Sequence, residues 1–342
     1  MQRCLQLAKL GAGNVAPNPM VGAVLVHNNR IIGEGYHQRY GEAHAEVNCI
    51  NHVSAEDKLL INKSTLYVSL EPCAHYGKTP PCADLITKMQ IPQVVIACRD
   101  SYKEVDGKGI DKLRSAGVNV TVGILEAAAR MLNKRFFTFH GKQRPYIILK
   151  WAQSSNDKIA NADLSKVQIS NDFTNRLVHQ WRSEEAAIMV GTNTALHDDP
   201  SLTNRLWTGS NPVRIIIDKN LKVPASSHLL SDGGKTIIFN EHKNIEEGNL
   251  LYKQLKSSAV SVGEIMGSLF EMNIQSVLVE GGTMLLQSFI DAGLWDEARI
   301  ITNNDLVIQE GRAAPELKFQ IKVGRQDIFS DSIQYYTRQQ SK

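Results

Sequence analysis

Short apolar runs alternate with helix-period segments along most of this chain, and the alternation starts twice. In the first series, Leu5, Leu7, Ala8 and Leu10 open an amphipathic helix that stops near Gly11–Gly13. Residues 21–26 and 31–35 read as a hairpin around a polar turn at 27–30, followed by a helix over 43–53 and a buried strand over 64–70. Helices are predicted over 83–90 and 109–118, and strands over 92–100 and 118–124. The polar, basic segment His140–Pro145 reads as a linker. A second series then runs from the strand at 146–154 to the strand at 296–305. Its helices fall near 173–184, 264–272 and 285–294, with strands near 186–191, 213–219, 236–240 and 276–282. Such alternation with short connections leaves layered α/β domains as the fold class. At 342 residues two such domains are expected, over 1–141 and 145–342. Residues after Asn303 are weakly patterned.

Charge narrows the partners. Lys+Arg 38 against Asp+Glu 35 leaves +3, too even for an electrostatic nucleic-acid or membrane binder. No apolar run reaches the roughly 20 residues of a membrane span, and the first residues lack the long apolar segment of a signal peptide. A cytoplasmic location and a small-molecule substrate are expected.

The cysteines carry the first chemistry. Five of them make a poor disulfide framework, and the apolar surroundings of Cys49 and Cys98 suit buried structural thiols. Cys73 and Cys82 instead lie in the polar stretch EPCAHYGKTPPC, downstream of His44-Ala45-Glu46. An H-x-E triplet alone is more often a solvated helix start. One histidine with two thiolates, however, is a three-ligand set for tetrahedral zinc that keeps the fourth position for water. A carboxylate that is not a ligand can then carry protons, and Glu46 suits that role. Residues two apart on a helix face nearly opposite ways, so His44 and Glu46 can converge only across a loop-to-helix junction. Cys82 is placed near a helix start, where the dipole favours a thiolate.

H-x-E followed by P-C and a second cysteine is the zinc nucleobase-deaminase pattern. Here eight residues separate Cys73 from Cys82, where two are usual. With that loop, the segments APNPMVGAVLV, GEGYHQRYGEAHAEV, LEPCAHYGKTPPC and DGKGIDKLRSAG resemble the bifunctional riboflavin-biosynthesis deaminase–reductase family. The resemblance implies a cytidine-deaminase-like first domain. It makes His44, Cys73 and Cys82 the zinc ligands and Glu46 the proton shuttle, with Asn18, His37, His75 and Lys78 meeting the substrate. That substrate would be a diaminopyrimidinone bearing a phosphoribosylamino group, hydrolysed at its 2-amine.

The second series lacks G-x-G-x-x-G, so a standard dinucleotide fold is not indicated. SVLVEGGTMLLQSFI still reads strand, Gly-Gly turn, helix. That is either a helix N-terminus suited to a cofactor pyrophosphate or simply a tight connection. In VGTNTALHDDPSLTNR, Thr192, Thr194, Asp198 and Asp199 suit a capped loop, and Arg182 and Arg205 can hold a phosphate or remain solvated. LKWAQSSNDKIA, HQWRSEEAAIMVGTNTALHDDPSLTNR and VEGG resemble the reductase half of the same family, whose fold is dihydrofolate-reductase-like. The resemblance places Ala152, Thr194, Asp198 and the turn residues Gly282, Thr283, Met284, Leu285, Leu286, Gln287 and Ser288 against NADPH. It places Ser165, Arg182, Leu202, Arg205 and Glu280 against the phosphoribosyl substrate, with Lys150 and Asp198 near the reacting centre. The implied hydride goes to the anomeric carbon and opens the ribose to a ribityl chain. NADPH rather than NADH follows from the resemblance alone.

Two departures stand out: Ser154-Ser155-Asn156-Asp157 where the family has S-x-D-G, and Val167 where a tryptophan is common. The alternatives are a deaminase with a degenerate second domain and a nucleic-acid editing module. The latter is disfavoured by the even charge and the lack of interleaved aromatic and basic residues. A homo-oligomer is expected from the family.

Overall fold

The computed structural model describes residues 1–76, 80–102, 105–163, 165–256 and 261–339. They divide into two compact units, Met1–Gln143 and Arg144–Lys342.

In the first unit, strands β1 (Gly22–His27), β2 (Arg30–Tyr36), β3 (Thr65–Val68), β4 (Gln93–Ile96) and β5 (Asn119–Val122) form a sheet in the order β2-β1-β3-β4-β5. The β1/β2 hairpin turns through Asn28 and Asn29, both at positive φ, a backbone that asparagine tolerates and that suits a tight two-residue turn. β1 pairs antiparallel with β3, whereas β3, β4 and β5 run parallel. Helices α1 (Gln2–Lys9), α2 (Ala45–Asn51), α3 (Cys82–Lys88), α4 (Lys108–Ser115), α5 (Glu126–Leu132) and α6 (Lys134–Lys142) complete the unit. Leu25, Leu66, Ile86, Ile96 and Leu113 are fully buried in its core. Helix α2 lies so close to β2 that a Cβ at Gly35 would stand 2.2 Å from the Cys49 nitrogen. Glycine is therefore what lets the helix carrying His44 and Glu46 rest on the sheet. Helix α6 runs to Lys142, so the first half of the segment read as a linker is helical.

The second unit holds a ten-stranded sheet in the order β11-β12-β10-β9-β8-β13-β6-β14-β17-β16. Its strands are β6 (Tyr146–Ser154), β8 (Ala187–Gly191), β9 (Val213–Ile217), β10 (Thr236–Asn240), β11 (Ile245–Glu247), β12 (Leu250–Gln254), β13 (Ser276–Val279), β14 (Glu297–Asn303), β16 (Gln320–Ile328) and β17 (Asp331–Arg338). β7 (Lys158–Asn161) and β15 (Gly311–Ala313) pair separately. The run from β12 to β14 is parallel, and β11, β17 and β16 are antiparallel additions. The helices are α7 (Asp172–Glu184), α8 (Thr192–Asp198), α9 (His228–Ser231), α10 (Val262–Glu271) and α11 (Thr283–Asp291). Strand β6 is buried on both faces, as parallel strands between helical layers are. Ile147 and Leu149 pack with Leu269 and Phe289 of α10 and α11, while Ile148 packs with Val178 and Trp181 of α7. The weakly patterned residues after Asn303 include the long β16/β17 hairpin, in which β16 is largely exposed and shows no inside-outside alternation.

Phe289 is fully buried. Phe289→Ala is expected to cost the second unit about 3–5 kcal/mol through lost burial and the cavity left behind. All four tryptophans (Trp151, Trp181, Trp207, Trp295) lie in this unit, so guanidinium unfolding followed by tryptophan fluorescence reads it selectively.

Candidate active sites

His44 is the N-cap residue of α2, with extended backbone, and Glu46 sits in the first helical turn. The triplet thus straddles a loop-to-helix junction, as convergence requires. Cys73 follows β3, and Cys82 opens α3. The His44 Nδ1, Cys73 Sγ and Cys82 Sγ atoms lie within 4.8 Å of one another, with Nδ1–Sγ distances of 3.5 and 3.4 Å. A zinc tetrahedron with ordinary bond lengths has an N–S edge of about 3.6 Å. The donor set and its spacing therefore fit a zinc ion.

The helix start acts on the other thiol. The Cys82 N–H donates to Cys73 Sγ at 3.3 Å. The Cys82 thiol, His44 and that amide pull the Cys73 pKa down to about 4, while Cys82 is pushed up by its proton-sharing with Cys73 and by burial. Glu46 is 3% exposed, and burial, helped by the Cys73 thiolate, raises its carboxyl to about 6. A carboxyl near neutrality in a closed site can both accept and return a proton. Cys49 and Cys98 are buried away from these groups, and burial pushes both thiols up, Cys98 to about 12.

His37 stands beside this cluster, its ring 5.5 Å from that of His44. The Ala43 carbonyl accepts from His37 Nδ1 at 3.0 Å, which leaves Nε2 to accept from Asn18 Nδ2 at 3.1 Å. Burial lowers the pKa of this imidazole, in the direction of the neutral form that these two contacts suit. His75 is half-buried, 6.1 Å from the Tyr102 ring, and its buried Nδ1 has no hydrogen-bond partner among the described residues. Lys78 lies outside the described residues.

Glu71, just before Pro72-Cys73, went unremarked in the sequence. Its buried carboxylate accepts four backbone N–H groups, from Asp100, Gly107, Gly109 and Ile110, at 3.0–3.2 Å. A Cβ at Gly109 would sit 1.9 Å from the Pro72 carbonyl oxygen, so the 106–109 segment closes directly over the cysteine loop. DGKG was visible as a string, but nothing local announced its partner.

In the second unit, Glu280 and Thr194 follow the carboxyl ends of β13 and β8, and Lys150 of the adjacent, longer β6 lies level with the end of β13, the side on which open α/β sheets place ligands. Glu280 follows β13 and is gripped by Arg182 of α7 through Nε–Oε1 and Nη2–Oε2 bonds, both 2.8 Å. Lys150 Nζ lies 3.6 Å from the same carboxylate. Burial alone would raise the Glu280 carboxyl, but Arg182 and Lys150 hold it down to about 2. Arg182 Nη1 also donates to the Thr203 carbonyl at 3.2 Å. The guanidinium expected to meet substrate is thus engaged within the protein.

A cleft of about 720 Å³ opens beside this group. Lys150, Ala152, Thr194, Asp198, Glu280, Gly282, Thr283, Met284 and Leu286 line it, as do Asn193, His197 and Arg312, which the sequence did not single out. Leu285, Gln287 and Ser288 are not among its lining residues: Gln287 bonds both ways with the Glu316 backbone, and Ser288 donates to the Leu285 carbonyl. Leu202 is buried in the core, and Ser165 bonds to Asp163 and Asn161 outside the cleft. Thr283 Oγ1, at the start of the nine-residue helix α11, is buried without a partner. An unmatched hydroxyl at a helix N-terminus, facing a cleft of this size, fits the phosphates of a nicotinamide dinucleotide.

Both departures are accommodated. Asp157 takes the left-handed backbone at φ +57 that glycine would adopt, which aspartate tolerates. Val167 lines the cleft at the position where tryptophan was expected.

Comparison with known proteins matches both units. Residues 1–98 match the family model for the cytidine and deoxycytidylate deaminase zinc-binding region, and residues 145–307 match that for the RibD C-terminal domain. The riboflavin biosynthesis protein RibD of Aquifex aeolicus is 40% identical over 86% of this chain and 83% of its own. That of Escherichia coli is 32% identical over 93% of this chain and 94% of its own. The Thermotoga maritima crystal structure described as a diaminohydroxyphosphoribosylaminopyrimidine deaminase/5-amino-6-(5-phosphoribosylamino)uracil reductase superposes with a TM-score of 0.89. It is 34% identical, covering 99% of this chain and 97% of that one.

Glu71→Ala leaves four backbone amides without their acceptor. It is expected to destabilise the first unit by about 2–4 kcal/mol or more and to lower the zinc content of purified protein, as read by metal analysis. Acid acts on the second unit. Burial and the neighbouring Arg182 and Arg205 push His179 down to about 4. His179 and Glu280 both have folded values below their ordinary ones, so their stabilisation is present at neutral pH and lost as pH falls. The windows run from 6.5 to about 4 for His179 and from 4.5 to about 2 for Glu280. Each is worth on the order of 3 kcal/mol. The tryptophan-monitored melting temperature is expected to begin falling below pH 6.5, with that first step absent in His179→Asn.

Proposed function

Because this chain belongs to the RibD family of riboflavin-biosynthesis proteins and is a bifunctional deaminase and reductase, we propose how its two units divide the work. The first hydrolyses the 2-amine of 2,5-diamino-6-(5-phosphoribosylamino)pyrimidin-4(3H)-one. The second reduces the ribosyl group of the product to ribityl with NADPH.

In the first unit His44, Cys73 and Cys82 would hold the zinc, which when bound would supply a water acidified towards neutral pH. Glu46 is the group that moves the protons, accepting one from the attacking water and returning one to the departing ammonia, so that amine and water become carbonyl and ammonia. The Cys82 N–H keeps Cys73 as a thiolate ligand. His37, in its neutral form, orients Asn18 through its Nε2. Asn18, His75 and Lys78 are assigned to the substrate.

In the second unit NADPH, when bound, would supply the hydride for the anomeric carbon. One proton must then reach the oxygen released from the ribose ring. Lys150, buried against Glu280 and lowered in pKa by that burial, is the group to carry it. Arg182 holds the Glu280 carboxylate with both oxygens engaged. Arg205 is the cation assigned to the substrate phosphate. Ala152, Thr194, Asp198 and the start of α11 are assigned to the cofactor, with Asp198 also close to the reacting centre.

The observation carrying this reading is the convergence of His44, Cys73 and Cys82 beside the buried Glu46 carboxyl. A coupled assay on the diaminopyrimidine substrate, following ammonia and NADPH together, tests both halves. Glu46→Gln is expected to lose ammonia release by about 10²–10⁴-fold while retaining zinc. NADPH oxidation should persist when the deaminated intermediate is supplied. Wild-type deamination by this variant would reject the role of Glu46, and no NADPH oxidation by wild-type protein would reject the reductase.

A further inference from the structure

We infer that His179 is a positioning residue of the reductase unit, clipping the loop at 203–205 to helix α7 so that the Arg205 guanidinium is held ready for the substrate phosphate. The inference rests on the assignment of Arg205 proposed above.

His179 is 5% exposed, and its Nδ1 faces the Arg205 N–H at 3.1 Å. A backbone N–H can only donate, so Nδ1 must carry a free lone pair and the imidazole must be neutral. One helical step on, at i+3 on the same face, Arg182 Nη1 donates to the Thr203 carbonyl at 3.2 Å. Two side chains of opposite polarity thus meet an acceptor and a donor two residues apart on the loop. Each pairing would be lost if the loop slid by one residue. The far side of the loop is closed as well, by Asn204 N to Asn211 Oδ1 and Asn204 Nδ2 to the Gly209 carbonyl.

The residue presented by this clip differs from those that make it. The Arg205 side chain is exposed and makes no ion pair among the described residues. Arg182 is already engaged by Glu280 and Thr203. An arginine on a fixed backbone loses less freedom when it grips a phosphate, which lowers the entropic cost of binding. Burial, together with the neighbouring charges of Arg182 and Arg205, holds the His179 pKa down to about 4, so the clip holds at neutral pH. Asparagine offers an acceptor at a similar reach from the backbone, whereas alanine offers none.

The test uses full-length enzyme, with KM measured separately for the deaminated phosphoribosyl intermediate and for NADPH. His179→Ala is expected to raise the KM for the intermediate about five- to tenfold, the effect of one lost hydrogen bond. The KM for NADPH and the deaminase activity should stay unchanged, and His179→Asn should restore most of the loss. In an Arg205→Ala background, His179→Ala should add little. Amide exchange of the peptide spanning 203–205 should quicken in His179→Ala and return towards wild type in His179→Asn. If Arg205→Ala raises the KM but His179→Ala does not, or if the two losses add in full, the positioning role is overturned and Arg205 keeps its assignment. If Arg205→Ala leaves the KM unchanged, the phosphate assignment itself falls, and the role of His179 with it. Should His179→Ala quicken exchange throughout the second unit, the His179→Asn protein decides: a KM raised as far as in Arg205→Ala would overturn the inference.

Discussion

A carboxylate shut away from water is stable only where other groups replace its hydration, and both units are organised around one. In the first, Glu71 has no cation against it among the described residues, and four backbone N–H groups converge on its oxygens instead. That requirement draws the 100–110 segment over the loop that carries Cys73. It also makes glycine necessary at 109, where any side chain would collide with the Pro72 carbonyl. In the second, Glu280 is compensated by Arg182 and Lys150, which come from a helix and a strand far apart in the chain. Removing Arg182 would leave the carboxylate only the Lys150 ammonium at 3.6 Å, a larger penalty than the loss of a surface ion pair.

The proposed zinc ligands depend on the same economy of polar groups. His44 is delivered by the end of a loop, Cys73 by the segment after a strand and Cys82 by the start of a helix. Three short elements can converge in this way because each ends at the site. The amide freed at the start of α3 is then used on the Cys73 sulfur. The long interval between the two cysteines therefore does not weaken the ligand set.

Much of this was legible in residue order. The strand–helix alternation, the hairpin at Asn28-Asn29 and the placing of His44 and Glu46 across a helix boundary all follow from local rules of backbone and periodicity. Local rules failed where no local signal existed. The 140–145 segment is polar and basic, yet α6 continues through Lys142. The β16/β17 hairpin was missed because β16 is exposed along nearly its whole length and so needs no alternating pattern. Asp157 shows the converse: its type departs from the glycine of the family, but the left-handed backbone is kept.

Residue identity and spacing alone set the chemistry available to this protein: one imidazole, two thiols and a carboxylate close to a helix start, because those donors suit zinc whatever surrounds them. They also set the layered α/β class, because apolar period does not depend on partners. Which charges would be free and which engaged could not be read that way. Arg182 and Arg205 look alike in the sequence, but folding pairs the first with Glu280 and leaves the second exposed on a loop held by His179. Likewise Glu71 is one glutamate among many until the fold surrounds it with amides. Pairing of buried charge depends on groups distant in the chain, and only their packing brings them within reach.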